Sequence, residues 1–247
     1  PSVILWSATS GLPIVELPPD GLQKVAVAFG KNGKKLFYST EDGKVRIWHL
    51  DTKRFGPTLN GHSNKVYALA ISHDNRWVAT ASADKTIKLW DVASGELKTT
   101  FRGHTRDVQD VIFAKNSTLL VSGSMDSHIK VWDIATGQEV ASRKAHGLPV
   151  HSIALHPNQT IIASTGWDGW AHTWTLDGLE RLKSVQLGRS GSRAIGADFA
   201  PDGGLREARR GRRAGDGRRV VDATRRERAR RKGEAHRPQM GQPGWNL

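Results

Sequence analysis

Apolar and polar positions alternate in short blocks along most of the chain. In one window the runs "VYALAIS" (66–72), "WVATASA" (77–83), "TIKLWDV" (86–92) and "LKTTF" (97–101) are β-branched or apolar, and "HDN", "DK" and "ASGE" between them are turn chemistry. This predicts four strands joined by tight turns. In the third run Ile87 and Leu89 face one way and Lys88 and Trp90 the other. Four such strands make one small antiparallel sheet with two faces and too little area to bury alone. Copies must therefore stack face to face.

The copies are visible. Segments 3–11, 45–53, 87–95, 129–137 and 171–178 align, and their tryptophans, Trp6, Trp48, Trp90, Trp132 and Trp174, are 42 residues apart at every step. Asp42, Asp84, Asp126 and Asp168 each stand six before a tryptophan. His62, His104 and His146 each stand 28 before one, and Thr80, Ser122 and Ser164 each four before an aspartate. Radial stacking of such sheets gives a β-propeller.

The "GH" and "WD" layout with an Asp turn between them resembles the WD40 repeat family over residues 1 to about 203. Of the five tryptophans in register, only Trp90 and Trp132 are followed by Asp, at Asp91 and Asp133, to complete a literal "WD". The first full repeat has Asp20 where His is expected and Tyr38 where Ser or Thr is expected; that blade is expected to lack the internal polar network and to be less rigid. The resemblance implies an all-β fold, a WD40-type β-propeller with four complete four-stranded blades plus partial ones. Residues 1–19 supply the last two strands of a preceding blade. Full blades follow at 20–60, 61–102, 103–144 and 145–187, and a further blade starts at 188–203. Family propellers most often close with seven blades, about 295 residues at this period, so the chain as given is read as an open arc, incomplete at both ends.

One His, one Ser or Thr and one Asp per repeat are also the ingredients of a nucleophilic triad. A catalytic site is used once at a cleft and is not stamped every 42 residues. By resemblance, the sets His62/Thr80/Asp84/Trp90, His104/Ser122/Asp126/Trp132 and His146/Ser164/Asp168/Trp174 are structural tetrads. In each, the indole N–H donates to the hydroxyl, the hydroxyl meets the His, and the His meets the carboxylate. The other histidines, His49, His73, His128, His151, His156, His172 and His236, follow no metal-ligand spacing and read as surface or loop residues. "GKNGKK" (30–35) is a turn between strands rather than a phosphate loop. No catalytic, metal or cofactor residue is assigned, and the chain is read as non-enzymatic.

Charge changes the picture at one end only. Residues 204–247 hold 14 Lys and Arg against 5 Asp and Glu, most of the formal +13, while the rest of the chain is near balance. That segment has few apolar residues and is expected to be a disordered Arg/Gly-rich tail, able to meet nucleic acid electrostatically. A frameshift in the encoding DNA fits its composition better: shifting "EAHRPQMG" (234–241) by one nucleotide forces a tryptophan and permits "KLTGHKW", the entrance of a next blade. There is no cysteine, hence no disulfide or zinc–thiolate site. No apolar run approaches a membrane span. The chain begins at Pro1 and is read as an excerpt, with the cytoplasm as the expected compartment.

What remains is a surface. In this family the face bearing the d–a and b–c loops usually holds the partner. By register its rim includes Lys65, Tyr67, Asp107, Gln109, Pro149 and His151, together with Glu41, Ala83, Met125 and Trp167, which precede the turn aspartates. The expected function is a scaffold that binds a protein or peptide on this face. The alternatives are a nucleic-acid-binding protein acting through the tail, or the propeller portion of a larger multidomain regulatory enzyme.

Overall fold

The computed structural model describes residues 3–17, 22–187, 194–209 and 220–222. These form an all-β propeller architecture. Blade 1 comprises β3 (Lys24–Phe29), β4 (Lys35–Thr40), β5 (Val45–His49) and β6 (Arg54–Leu59). Blade 2 comprises β7 (Val66–Ile71), β8 (Trp77–Ser82), β9 (Ile87–Asp91) and β10 (Leu97–Phe101). Blade 3 comprises β11 (Val108–Ala114), β12 (Leu119–Ser124), β13 (His128–Asp133) and β14 (Glu139–Lys144). Blade 4 comprises β15 (Val150–Leu155), β16 (Ile161–Gly166), β17 (Trp170–Thr175) and β18 (Arg181–Gln186). Each is an antiparallel meander, here called strands a to d. Before them lies the two-stranded pair β1 (Ile4–Trp6) and β2 (Pro13–Glu16). After them lies a three-stranded sheet, β19 (Ala194–Phe199), β20 (Leu205–Arg209) and β21 (Val220–Asp222). The a strands β3, β7, β11, β15 and β19 neighbour one another in turn. No helix among the described residues is long and apolar enough to cross a membrane.

The blades bury one another as the strand alternation requires. Trp90 shares a core cluster with Phe37, Val45 and Ile47 of blade 1, while Ile87 and Leu89 share one with Val108, Val111 and Trp132 of blade 3. Trp174 in turn joins Val121, Ile129 and Val131 of blade 3. An indole that removes about 150–250 Å² from water is worth roughly 4–6 kcal/mol before ordering costs, so these tryptophans are the main cement between sheets. Strand b is covered on both faces and carries small residues, as in Ala79–Thr80–Ala81–Ser82 of β8, all fully buried. Small side chains there let the flanking sheets approach.

At the a–b turns the blades are also tied by hydrogen bonds. The Asn32 N–H donates to Asn75 Oδ1 at 3.3 Å, the His73 N–H to Ser117 Oγ at 2.9 Å, and the Asn116 N–H to Gln159 Oε1 at 2.8 Å. On the channel side the Ile153 N–H of β15 donates to the Asp110 carboxylate of β11 at 2.8 Å.

The basic segment departs from its expected boundary. Leu205–Arg209 lies inside the 204–247 segment read as a disordered tail, yet it pairs antiparallel with β19, from Phe199↔Leu205 to Ala194↔Arg209, and Val220–Asp222 pairs with β20. Strand pairing runs through the backbone, and an edge offered by β19 accepts it whatever the side chains are. In a register two residues longer than the 42-residue step, the fifth blade's turn Asp and Trp are expected at Arg212 and Arg218; these positions, and residues 223–247, lie outside the described residues.

Candidate functional site: the loop face and its supports

The b–c turn of every full blade is built the same way. The turn aspartate is followed by a residue with left-handed backbone, Gly43 (φ 79°), Lys85 (φ 70°), Ser127 (φ 70°) and Gly169 (φ 79°). Its carboxylate accepts the N–H two residues on, from Lys44, Thr86, His128 and Trp170. In blades 2 to 4 the same carboxylate also takes the d–a loop: His62 Nδ1 at 2.7 Å, His104 Nδ1 at 2.8 Å and His146 Nδ1 at 2.9 Å, with the N–H groups of Ser63, Thr105 and Gly147 at 3.2, 3.0 and 2.9 Å. A carboxylate only accepts, so Nδ1 carries the hydrogen.

The other imidazole nitrogen closes the network. His62 Nε2 lies 2.6 Å from Thr80 Oγ1, and His104 and His146 Nε2 lie 2.8 Å from Ser122 and Ser164 Oγ. Trp90, Trp132 and Trp174 Nε1 each donate to that hydroxyl at 2.9 Å. Thr80, Ser122 and Ser164 are fully buried. With the indole donating to it and its own hydrogen given to Nε2, each hydroxyl is engaged and out of reach of a substrate. Burial is the largest single influence and would raise the Asp84 and Asp126 carboxyls; the bonds from His62 and Thr86 to the one, and from His104 and the Thr105 and His128 N–H groups to the other, together outweigh it and hold both well below the ordinary carboxylate range.

Blade 1 lacks this arrangement. Asp20 lies outside the described residues, and Tyr38 fills the hydroxyl position inside a cluster with Leu17, Leu36 and Trp48. Trp48 Nε1 is buried with no hydrogen-bond partner among the described residues, and the indole meets Phe55 edge-on at 4.8 Å instead. Asp42 is held by Thr40 Oγ1 and by Lys44 Nζ at 3.0 Å.

On this framework the rim residues assemble. The N–H groups of Glu41, Ala83, Met125 and Trp167 donate to the carbonyls of Gln23, Lys65, Asp107 and Pro149 at 2.9–3.0 Å. The b–c turn and the start of strand a therefore meet at one place in each of the four blades. Lys65 and Glu41 are exposed there, and Tyr67, Asp107, Gln109, Met125, Pro149, His151 and Trp167 are half-buried. Tyr67 Oη donates to Asp107 Oδ2 at 3.3 Å across the boundary between blades 2 and 3. Burial, and then the charge of Asp107, push the Tyr67 phenol above its usual range. The rings of His151 and Trp167 lie 6.5 Å apart.

Two other features were not foreseen in the sequence. Asp110 reaches a depression of about 500 Å³ among the a strands and a–b turns, near Phe29, His73 and His156. Desolvation pushes its carboxyl up to about 6 against the bonds from Ile153, Ser152 and Val111. And His172, read as a surface or loop histidine, is buried, with Trp170 stacked on it at 6.0 Å and His146 at 4.7 Å. The reason is register: His172 stands two before Trp174, on the indole's side of strand c, where Arg46, Lys88 and Lys130 stand in the other blades. Desolvation, then the nearby His146 and Arg181, push the His172 imidazole down to about 4. Among the described residues, His146, Asp168 and His172 are the group whose donor atoms are close enough to hold a metal ion.

Comparison with known proteins agrees with this architecture. The chain is 35% identical over 71 residues to Meiotic fizzy-related protein 1 of Schizosaccharomyces pombe, a match that spans 28% of this chain and 17% of that relative. The model of the WD domain, G-beta repeat, matches residues 20–49, 54–91, 95–133 and 137–175, more than half of the chain. With the repeated tetrads and four-stranded blades, this places the chain in the WD40 repeat family.

Proposed function

We propose that the chain is a binding scaffold that holds a protein or peptide partner across the rim of b–c turns and strand-a starts. WD40 propellers are typically non-enzymatic and bind protein partners. The observation that carries the reading is the backbone bond from the b–c turn to strand a, made alike in all four blades. It fixes the rim's frame while leaving its side chains free to differ: Glu41, Ala83, Met125 and Trp167 hold one position, and Tyr67, Gln109 and His151 another. A rigid frame that carries half-buried aromatic side chains at Tyr67 and Trp167 is what a hot spot needs, because little ordering is left to be done on binding.

The test is selection of a displayed peptide library on the immobilised chain, repeated with Trp167→Ala and Tyr67→Ala. Peptides that bind the parent should lose at least tenfold in affinity to one or both variants. Full binding to both removes the rim from the reading.

A further inference from the structure

Blade 4 differs from its siblings at one corner. Beside its tetrad lies an open depression of about 580 Å³, bordered by Lys144, His146, Asp168, Trp170, His172 and Arg181. We propose that His146, Asp168 and His172 form a binding site for one divalent transition metal of the zinc class.

The donor atoms of the three residues lie within 4.8 Å of one another. Tetrahedral zinc with bonds of about 2.0–2.2 Å sets neighbouring donors about 3.4 Å apart, so the set has to close by no more than roughly 1.5 Å. The donors are oriented by outer partners. Ser164 holds His146 Nε2 at 2.8 Å, which aims Nδ1 at Asp168, and the Gly147 N–H holds Asp168 Oδ2 at 2.9 Å. Ser184, at 2.9 Å from Nδ1, is the one hydrogen-bond partner of the His172 ring among the described residues, so a ring nitrogen remains for a metal. Such partners fix ring orientation in metal sites generally.

Two independent facts single out blade 4. At the position of His172 the other blades carry Arg46, Lys88 and Lys130, whose nitrogens hold hydrogens and offer no lone pair at neutral pH. And at the end of strand b, where the others carry Thr40, Ser82 and Ser124, blade 4 has Gly166. A Cβ there would lie 2.6 Å from His146 Nδ1 and 2.9 Å from Asp168 Oδ1. Glycine clears that space, and both Asp168 oxygens approach His146 Nδ1, at 2.9 and 3.1 Å, where the other tetrads use one.

The protons balance. When the metal takes Nδ1 of His146, its hydrogen moves to Nε2, where Ser164 Oγ accepts it, and the hydroxyl hydrogen turns away. Lys144 and Arg181 are exposed and can extend toward solvent, and water completes the coordination from the open side.

The experiment titrates Co²⁺, then competing Zn²⁺, into the full chain without a histidine tag. One equivalent of Co²⁺ should give a tetrahedral visible absorption band that one equivalent of Zn²⁺ removes. His172→Lys installs the residue that blades 2 and 3 carry at this position. It should abolish the band and weaken binding by more than the about 10–100-fold that losing an outer partner costs. The imidazole ¹⁵N resonances of the parent give a reading that needs no variant: those of His146 and His172 should shift with Zn²⁺, and those of His62 and His104 should stay. No band in the parent, equal affinity in His172→Lys, or equal shifts in all three tetrads overturns the proposal.

Discussion

Ser122→Ala tests whether the tetrads hold the blades together. Ser122 Oγ receives Trp132 Nε1 at 2.9 Å and gives its hydrogen to His104 Nε2 at 2.8 Å, and all three side chains are almost fully buried. Deleting the hydroxyl leaves an indole N–H and an imidazole nitrogen without partners, in space that water does not reach. Each costs about 1–3 kcal/mol, and relief from burying the hydroxyl itself returns a little. The expected loss is about 3–4 kcal/mol, confined largely to blade 3 and its neighbours because repeats couple to their nearest units. Hydrogen exchange read on peptides spanning His104 to Trp132 gives the local opening free energy, and denaturant unfolding followed by tryptophan fluorescence gives the global one. Ser142→Ala, on the exposed face of β14, is the control and should change stability by less than about 0.5 kcal/mol. If Ser122→Ala costs under about 1 kcal/mol by both measures, the tetrads decorate the blades and packing alone supports them.

Further outcomes follow from single residues. The folded Asp110 carboxyl is raised from 3.8 to about 6, so the unfolded chain sheds its proton first as pH rises. Below 3.8 both states are protonated and nothing is lost. Stability falls between pH 3.8 and 6 and above that stays lower by up to about 3 kcal/mol. Asp110→Asn, still able to accept the Ile153 N–H, should flatten that part of a pH–stability curve and stabilise the protein at pH 7. Asp84 and Asp126 act in the opposite sense: their lowered carboxyls add stability above the unfolded pKa of 3.8, lost as pH falls below it. Gly166→Ala places a methyl against His146 and Asp168 and should cost about 1–3 kcal/mol, seen as a lower unfolding midpoint.

The tryptophan period, the alternation and the turn residues made most of the fold legible before any coordinates. They act locally: Asp84 bonds to Thr86, two residues away, and the strand Ile87–Asp91 shows its two faces in its own letters. The rim could be listed for the same reason, since its register is the repeat's register. What stayed hidden depends on distant neighbours. His172 reads as one more scattered histidine until it is aligned with Arg46, Lys88 and Lys130, which would have placed it on the tryptophan side of strand c. Even so, its contact with His146 comes from a loop 26 residues earlier. Asp110 stands where Ala68 and Ser152 stand in the flanking blades, and nothing local marks it as the acceptor for Ile153 in the next sheet. Leu205–Arg209 escaped notice because its partner strand, rather than its composition, makes it a strand.

The seating of Trp90 among Phe37, Val45 and Ile47 has a consequence for synthesis. Blade 1 emerges from the ribosome with one face bare, and the indole that covers it follows 42 residues after Trp48. At about 5–20 residues per second that is a wait of roughly 2–8 s for each repeat. The nascent chain always carries one unfinished apolar face, always on its newest blade, and that moving face is where a ribosome-associated chaperone would find this protein.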